Sequence, residues 1–441
     1  MPIMFSVSGL RGIVGDDLTP DIIRQYAKLF GEFFRADKTV IGRDCRPSGP
    51  AFRDAVIRGL NEIGVDVIDL GIVPTPTVCF MVKKLKAQAG IAITASHNPQ
   101  QWNALKFITD RGEFPVEKEY QAFAKYVKKN ELLFPVRKPG RSRVHKSGAA
   151  DHILSAIAAL KLKPMKLKIG VDAVNGAGSQ ALPGLLKKLG CRVYPLYCEF
   201  KSTFPRKPEP TPENISGLCR LVRTKKLDLG LAIDPDGDRL SIVDDKGRAI
   251  GEEMTLVLAA DYILSLKKGS VCTNLSTTAL LDHLCAKYGC RLYRSKVGEA
   301  NVVEMMKKVK AVIGGEGNGG VIYPAVNATR DALTGACIIF KLLQVRGQKV
   351  SEIVAEYPVY HMVKDKITLD RMEFEDKTAQ LSKALPGAVD RRDGLRIANP
   401  DWWLHIRPSN TEPIVRIIGE GRDRADILCK IHKVKTILTQ D

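Results

Sequence analysis

Three stretches of the chain spell the same supersecondary unit. "TVIGRDCRPSGPAFRDAVIRGLNEIGVDVIDLG" covers 39–71, "LKIGVDAVNGAGSQALPGLLKKLGCRVYPL" covers 167–196, and "GSVCTNLSTTALLDHLCAKYGCRLYRSKVG" covers 269–298. Each opens with a short β-prone run and passes through a polar or glycine turn into an amphipathic helix. A second β-prone run follows a glycine. The helix ends read "NEIGVDV", "KKLGCRV" and "AKYGCRL", which puts Gly64, Gly190 and Gly289 where a left-handed C-cap is expected. A β-α-β unit is best buried in a sheet with helices on both faces. Starts at 39, 167 and 269 lie too far apart for a solenoid. The pattern therefore predicts an α/β protein with three tandem mixed α/β domains of related topology.

The C-terminal part differs. Extended runs "DGLRIAN", "WWLHIRP" and "IVRIIGEG" precede a final helix, "DRADILCKIHKVKTIL", which reads as a smaller α+β domain. The expected divisions are 1–148, 149–247, 248–363 and 364–441. A chain of 441 residues exceeds one ordinary core and fits about three or four domains.

No apolar run reaches membrane-spanning length, and the start "MPIMFSVSGLRG" lacks a basic segment followed by a long apolar one. We expect a cytoplasmic protein with no membrane partner. The ten cysteines make no Cys-x-x-Cys pair; Cys285 and Cys290 have ligand-like spacing but no second pair nearby. They read as core thiols of a reducing compartment rather than zinc ligands or disulfides. A net charge of +19 favours anionic partners, either small phosphates or a polyanion. The densest basic run, "VRKPGRSRVHKSG" (136–148), has no interleaved aromatics and reads as a solvated linker rather than a nucleic-acid site.

Four loops could carry chemistry. In "GIAITASHNP" (90–99) an apolar run ends in Thr94, Ser96, His97 and Asn98. Strand-to-turn junctions expose reactive hydroxyls, yet taken alone these residues read more simply as a cap for the next segment. In "LGLAIDPDGDRLSIVDDKG" (229–247), Asp234, Asp236 and Asp238 occupy alternate positions after a strand. Three hard oxygen ligands with room left over suit Mg²⁺, whereas without a cation they repel one another. An EF-hand would need glycine and glutamate where Arg239 and Asp245 stand. Arg239 would hold a nearby phosphate or carboxylate.

In "VIGGEGNGGVIYP" (312–324) the glycine spacing formally fits a dinucleotide fingerprint, but β-prone residues stopped by Pro324 follow where a helix is required. A flexible loop with Glu316 and Asn318 at its tip could read sugar hydroxyls, or be a plain glycine turn. In "HIRPSNTEPIVRIIGEG" (405–421), Arg407, Ser409, Asn410 and Thr411 crowd a turn before a strand carrying Arg416. Arginine forks with hydroxyl, amide and backbone donors make a phosphate cradle. Together the loops supply nucleophile, cation, sugar reader and phosphate anchor, the equipment of phosphoryl transfer.

Taken together, "SGLRG" (8–12), "TASHNP" (94–99), "DPDGDR" (234–239), "GEGNGG" (315–320) and "RPSNTEP" (407–413) resemble, in order and over nearly the whole chain, the α-D-phosphohexomutase superfamily. The resemblance implies a four-domain, heart-shaped protein around a central cleft. It implies that Ser96 carries a phosphoryl group and that Asp234, Asp236 and Asp238 bind Mg²⁺ with a phosphoserine oxygen. Arg11 would sit near the transferring phosphate. Asn103 and Lys106 match the stretch after the serine, with Lys106, like His97, a candidate proton-transfer group. Glu316, Asn318 and Lys296 would contact the sugar; Arg407, Ser409, Asn410, Thr411 and Arg416 would hold the idle phosphate. The implied reaction interconverts hexose 6- and 1-phosphates through a hexose 1,6-bisphosphate.

Two departures stand out. Many members carry Ser-Gly-His where this chain has Asn318-Gly319-Gly320, and the opening "SVSGLRG" replaces a Gly-Thr-Ser start. "GEGNGG" with "TRDAL" (329–333) leans the substrate toward glucosamine phosphate, with mannose or glucose phosphate as the alternative. The competing readings are a basic polyanion-binding protein on the same scaffold and a phosphatase. A monomer or homodimer is expected.

Overall fold

The computed structural model describes residues 3–129, 138–409 and 413–440. All three repeats fold as read. Strand Lys38–Arg43 pairs in parallel with Asp66–Ile72, Lys168–Asp172 with Arg192–Leu196, and Val271–Asn274 with Leu292–Ser295. The intervening helices are Gly49–Glu62, Ala181–Lys188 and Leu280–Tyr288. Gly64, Gly190 and Gly289 all have positive φ (80°, 83° and 60°), so the chain turns back toward the sheet at a position that disfavours a Cβ.

The first sheet has seven strands, ordered Met4–Ser6, Gly9–Ile13, Trp102–Thr109, Ala89–Ile93, Lys38–Arg43, Asp66–Ile72 and Ser142–Val144. The last of these corrects the linker reading of 136–148. Val67 N donates to Arg141 O, and 142–144 adds in parallel to the sheet edge. Residues 136 and 137 of that run lie outside the described residues. The second and third sheets have four strands each, and both end in an antiparallel hairpin partner: Leu240–Val243 beside Leu229–Ile233, and Gly320–Ile322 beside Ile313–Glu316. The fourth is a five-stranded antiparallel sheet, covered by helices Arg371–Ala384 and Arg424–Thr439.

The second and third sheets share a core on one face, while each keeps a smaller cluster of its own on the other. One continuous apolar cluster runs from Ile153 to Ile353. Helices Glu253–Leu266 and Ala332–Arg346 run through it, buried on nearly every side, which is why their sequences are apolar all round rather than amphipathic. The first sheet joins them through polar contacts. His152 Nε2 lies 2.8 Å from Asp331 Oδ2 and its Nδ1 lies 3.0 Å from Thr77 Oγ1, so one imidazole ties the first three units together. Asn327 Nδ2 donates to Pro76 O at 2.8 Å. Among the described residues no helix is long and apolar enough to cross a membrane.

The C-terminal sheet docks on the third through side chains. His405 Nε2 donates to Asp393 O at 2.7 Å, and its Nδ1 accepts from Ser276 Oγ at 2.7 Å. Asp393 Oδ2 accepts from Val297 N at 2.8 Å, and Glu420 Oε2 from Ala279 N at 2.6 Å. Both ring nitrogens of His405 are thus committed to the neutral form, and burial lowers its pKa to about 4. An exposed imidazole titrates near 6.5. Below pH 6.5 the unfolded chain gains a proton that the folded chain resists until about 4, so stability is lost as pH falls through that window, by about 2 kcal/mol at pH 5. Denaturant unfolding at pH 7.5 and at pH 5 should show this loss in the wild type and a smaller one in His405→Gln. Equal losses would overturn the assignment.

Candidate active site

Ser96 follows strand Ala89–Ile93 in a left-handed conformation (φ 49°), which costs a non-glycine residue on the order of 1 kcal/mol. The surroundings impose it. Arg46, fully buried, donates to the carbonyl oxygens of Ser96, Asn98 and Pro99, each at 2.7 Å, and of Trp102 at 2.8 Å. Its Nε meets Asp44 Oδ2 at 3.0 Å, and Asp44 also accepts from Thr94 Oγ1 at 2.6 Å. Thr94 in turn accepts from Ser96 N at 3.0 Å. A single guanidinium therefore holds the whole serine turn. Asp44 and Arg46 lie in the first repeat, far from the serine in sequence, and sequence reasoning passed over both.

The strained turn aims Ser96 Oγ at the aspartate loop, where it donates to Asp234 Oδ2 at 3.1 Å. Asp234, Asp236 and Asp238 are all buried, with one oxygen of each within 4.8 Å of the others. Burial pushes the Asp234 carboxyl well above its usual range, and Asp238 and Asp236 push it further. Asp236 Oδ1 and Asp238 Oδ1 are buried and accept no hydrogen bond. Three hard oxygen donors, two with orphaned atoms, fit a small divalent cation such as Mg²⁺.

Cations from three units converge here. Lys106 Nζ lies 2.6 Å from Asp236 Oδ2 and 3.7 Å from Asp238 Oδ2. Burial opposes its charge, but the two carboxylates outweigh burial and raise its pKa, so it is an ammonium. Arg239 donates to Glu209 Oε1 at 2.5 Å and to His97 Nδ1 at 3.0 Å. Arg239 therefore holds a carboxylate, as its position after the loop suggested. The Arg239 charge, then burial, then Arg11 hold the His97 pKa well below the usual range, and its imidazole is neutral. Arg11 donates to Asn98 Oδ1 at 2.9 Å and stands beside the serine turn.

The sugar loop differs from expectation. Glu316 is not at a flexible tip; it ends strand Ile313–Glu316 and is buried. Its carboxylate accepts from Asn274 Nδ2 (2.8 Å), Gly298 N (3.0 Å) and Arg330 Nη1 (2.7 Å). The following residues form a tight hairpin with strand Gly320–Ile322, which disposes of the dinucleotide reading. Asn318 Oδ1 accepts from Gly320 N at 3.3 Å. Arg330, part of the "TRDAL" stretch but given no site role there, also reaches Asp238 Oδ2 at 2.7 Å. Lys296 is exposed just past strand Leu292–Ser295, beside Val297, which donates to Asp393.

Asn103 is not brought to this site. It lies three residues from Lys106 on strand Trp102–Thr109 and so on the opposite face, where it donates to Ser48 Oγ at 2.8 Å. Arg407 Nη1 lies 3.9 Å from Asp393 Oδ1, which links it through Val297 and Gly298 to Glu316. Arg416 stands directly opposite Arg407 in the antiparallel ladder. Two like charges so placed repel, and an anion over the pair would relieve them. Ser409 N donates to Ile414 O at 2.8 Å, closing the turn. Asn410 and Thr411 lie outside the described residues.

Lysine in place of Arg46 keeps the charge but cannot reach four divergent carbonyls. Arg46→Lys should destabilise the protein by about 3 kcal/mol, within the range for breaking a buried charged pair. It should also slow any reaction at Ser96 more than tenfold. Unfolding curves and turnover of the purified variant check both.

The chain matches all four models of one family. These are phosphoglucomutase/phosphomannomutase alpha/beta/alpha domain I over residues 2–133, domain II over 150–247, domain III over 251–360, and the C-terminal domain over 363–428. A phosphoglucomutase/phosphomannomutase of Thermococcus kodakarensis is 35% identical over 438 residues, covering 95% of this chain and 94% of that protein. A probable phosphoglucosamine mutase of the same organism is also 35% identical, over 427 residues, with coverage of 95% and 94%. The crystal structure of a phosphoglucomutase/phosphomannomutase family protein from Burkholderia thailandensis superposes with a TM-score of 0.87 at 27% identity, covering 99% of this chain and 98% of that one. The serine turn, the aspartate loop and the two arginine-bearing strands thus sit on a scaffold shared over its full length, and the chain belongs to the phosphoglucomutase/phosphomannomutase family of phosphohexomutases.

Proposed function

We propose that this mutase interconverts glucosamine 6-phosphate and glucosamine 1-phosphate through a phosphorylated Ser96. The observation that carries the mechanism is the aim of Ser96 Oγ at Asp234 within a buried carboxylate cluster. Asp234, Asp236 and Asp238 would hold Mg²⁺, together with an oxygen of phospho-Ser96. When bound, the ion supplies positive charge that offsets the roughly −2 charge of the phosphoserine.

The free hydroxyl of the sugar phosphate attacks the phosphorus of phospho-Ser96. A new P–O bond forms to the sugar, the P–Oγ bond breaks, and the product is the 1,6-bisphosphate. The sugar then turns over, and its other phosphate returns to Ser96. Each transfer removes a proton from the attacking hydroxyl and delivers one to the departing oxygen. We assign these transfers to Lys106, an ammonium, and to His97, a neutral imidazole whose Nδ1 lies 3.4 Å from Ser96 Oγ and accepts from the closer Arg239 Nη2 at 3.0 Å. Arg11 steadies the transferring phosphate. Arg407, Ser409, Asn410, Thr411 and Arg416 hold the phosphate that is not reacting, while Glu316, Asn318 and Lys296 read the sugar. Asn103 supports its strand from the far face.

Glucosamine phosphate leads on the "GEGNGG" and "TRDAL" stretches, which resemble those of members described as phosphoglucosamine mutase or phosphomannomutase. Phosphomannomutase or phosphoglucomutase activity is the alternative, since relatives of equal identity bear either description. A reducing cytoplasm is proposed with the mutase activity, since the ten cysteines make no Cys-x-x-Cys pair.

The test is isomerisation of glucosamine, mannose, glucose and N-acetylglucosamine phosphates with Mg²⁺ and a trace of bisphosphate. Ser96→Ala should lose at least about a thousandfold in turnover, the scale of removing a covalent nucleophile. Phosphate release without isomerisation would identify a phosphatase. Full activity in Ser96→Ala would overturn the phosphoserine mechanism.

A further inference from the structure

The family resemblance leaves one gap, a missing histidine in the sugar loop, at the position of Gly320. The structure shows what fills that space. An ideal Cβ built on Gly320 would lie 2.2 Å from Arg330 Cδ and 2.8 Å from Arg330 Cγ. The aliphatic stem of Arg330 occupies the volume that a side chain at 320 would need. A histidine at 320 and Arg330 in this pose are mutually exclusive.

Each nitrogen of the guanidinium beyond that stem meets a carboxylate. Nη1 donates to Glu316 Oε2 at 2.7 Å, Nη2 to Asp238 Oδ2 at 2.7 Å, and Nε to Glu299 Oε2 at 3.1 Å. The backbone is held as well. Arg330 N donates to Glu299 Oε1 at 2.8 Å, and the next residue, Asp331, caps helix Ala332–Arg346 and bonds His152. The planar fork thus spans a proposed metal ligand and a proposed sugar reader from a rigid base. An arginine does not give up its proton near neutral pH, so it cannot inherit a proton-transfer role.

We infer that Arg330 takes the space of the loop histidine and serves as a positioning residue that couples the Mg²⁺ site to the sugar site, by fixing Asp238 and Glu316 to one guanidinium. This rests on the mutase reading for the identity of the two ligands. Because one rigid fork sets both carboxylates, occupancy of either site alters the other, and the coupling is reciprocal. A lysine here keeps the charge but bridges one carboxylate at a time. Residues that orient metal ligands typically change metal affinity by about 10- to 100-fold when altered.

The test is calorimetric titration of Mg²⁺ into the full-length protein, alone and with saturating glucosamine 6-phosphate, beside kcat and KM. Arg330→Lys should bind Mg²⁺ about tenfold more weakly, raise KM for the sugar phosphate, and lose the gain in Mg²⁺ affinity that the sugar confers on the wild type. Gly320→Ala displaces the same stem from the other side and should reproduce these effects without touching a charge. It also carries the test if Arg330→Lys does not fold. Mg²⁺ affinity, KM and the sugar-dependent gain all within twofold of wild type in either folded variant would overturn the inference. If the wild type isomerises none of the sugars, the mutase reading fails. In that case an unchanged Mg²⁺ affinity in Gly320→Ala still counts against Arg330, and a weakened one still supports its hold on the metal loop.

Discussion

Three carboxylates packed within 4.8 Å and shielded from water cannot all carry charge unless positive groups surround them. That demand organises the active site. Lys106 answers it from the first sheet, Arg239 from the aspartate loop itself, and Arg330 from the third unit. The two arginines also hold something else. Arg239 fixes His97 and Glu209, and Arg330 fixes Glu316 and Glu299. Charge compensation and side-chain placement are therefore the same interactions, and moving one aspartate would loosen groups on three sheets.

The polar ties between units follow a related logic. The first sheet and the C-terminal sheet meet the central body through hydrogen bonds that must be satisfied in one geometry, such as Thr77–His152–Asp331 and Ser276–His405–Asp393. Directional contacts fix orientation more closely than apolar area does, and a cleft built from four units needs its loops in register. Candidate binding side chains and the side chains that join units are near neighbours here. Arg407 and His405 lie two residues apart on one strand, and both contact Asp393.

Local chemistry was legible in the sequence where it is written in consecutive residues. The repeats betrayed their β-α-β units through glycine caps and apolar periodicity. The aspartate triplet stood out because alternate acids after a strand have few structural uses, and its three buried carboxylates do meet. What escaped was whatever depends on the tertiary meeting of distant segments. Arg46 sits in an ordinary turn and gains its role only when the serine turn folds over it. Asn103 looked like a neighbour of Lys106, but strand parity sends it to the other face. Glu316 looked like a loop tip because glycines flank it, yet those glycines let backbone and carboxylates pack closely: a Cβ on Gly317 would stand 2.0 Å from Glu253 Oε2. The composition of 136–148 suggested a linker and hid an edge strand, since edge strands tolerate charge.

The shared core of the second and third sheets bears on how the protein is made. The first sheet gathers its apolar cluster from residues 10 to 123 and can close early. The cluster beneath the second sheet stays open until helices Ala332–Arg346 and Val350–Val354 arrive. At ribosomal speeds of about 5–20 residues per second, synthesis from Val243, the end of the second sheet, to Val354 takes roughly 6–22 s. During it the second unit displays an apolar face as wide as its own sheet. A newborn chain of this architecture spends that time dependent on chaperones, whereas its N-terminal unit, already closed, does not.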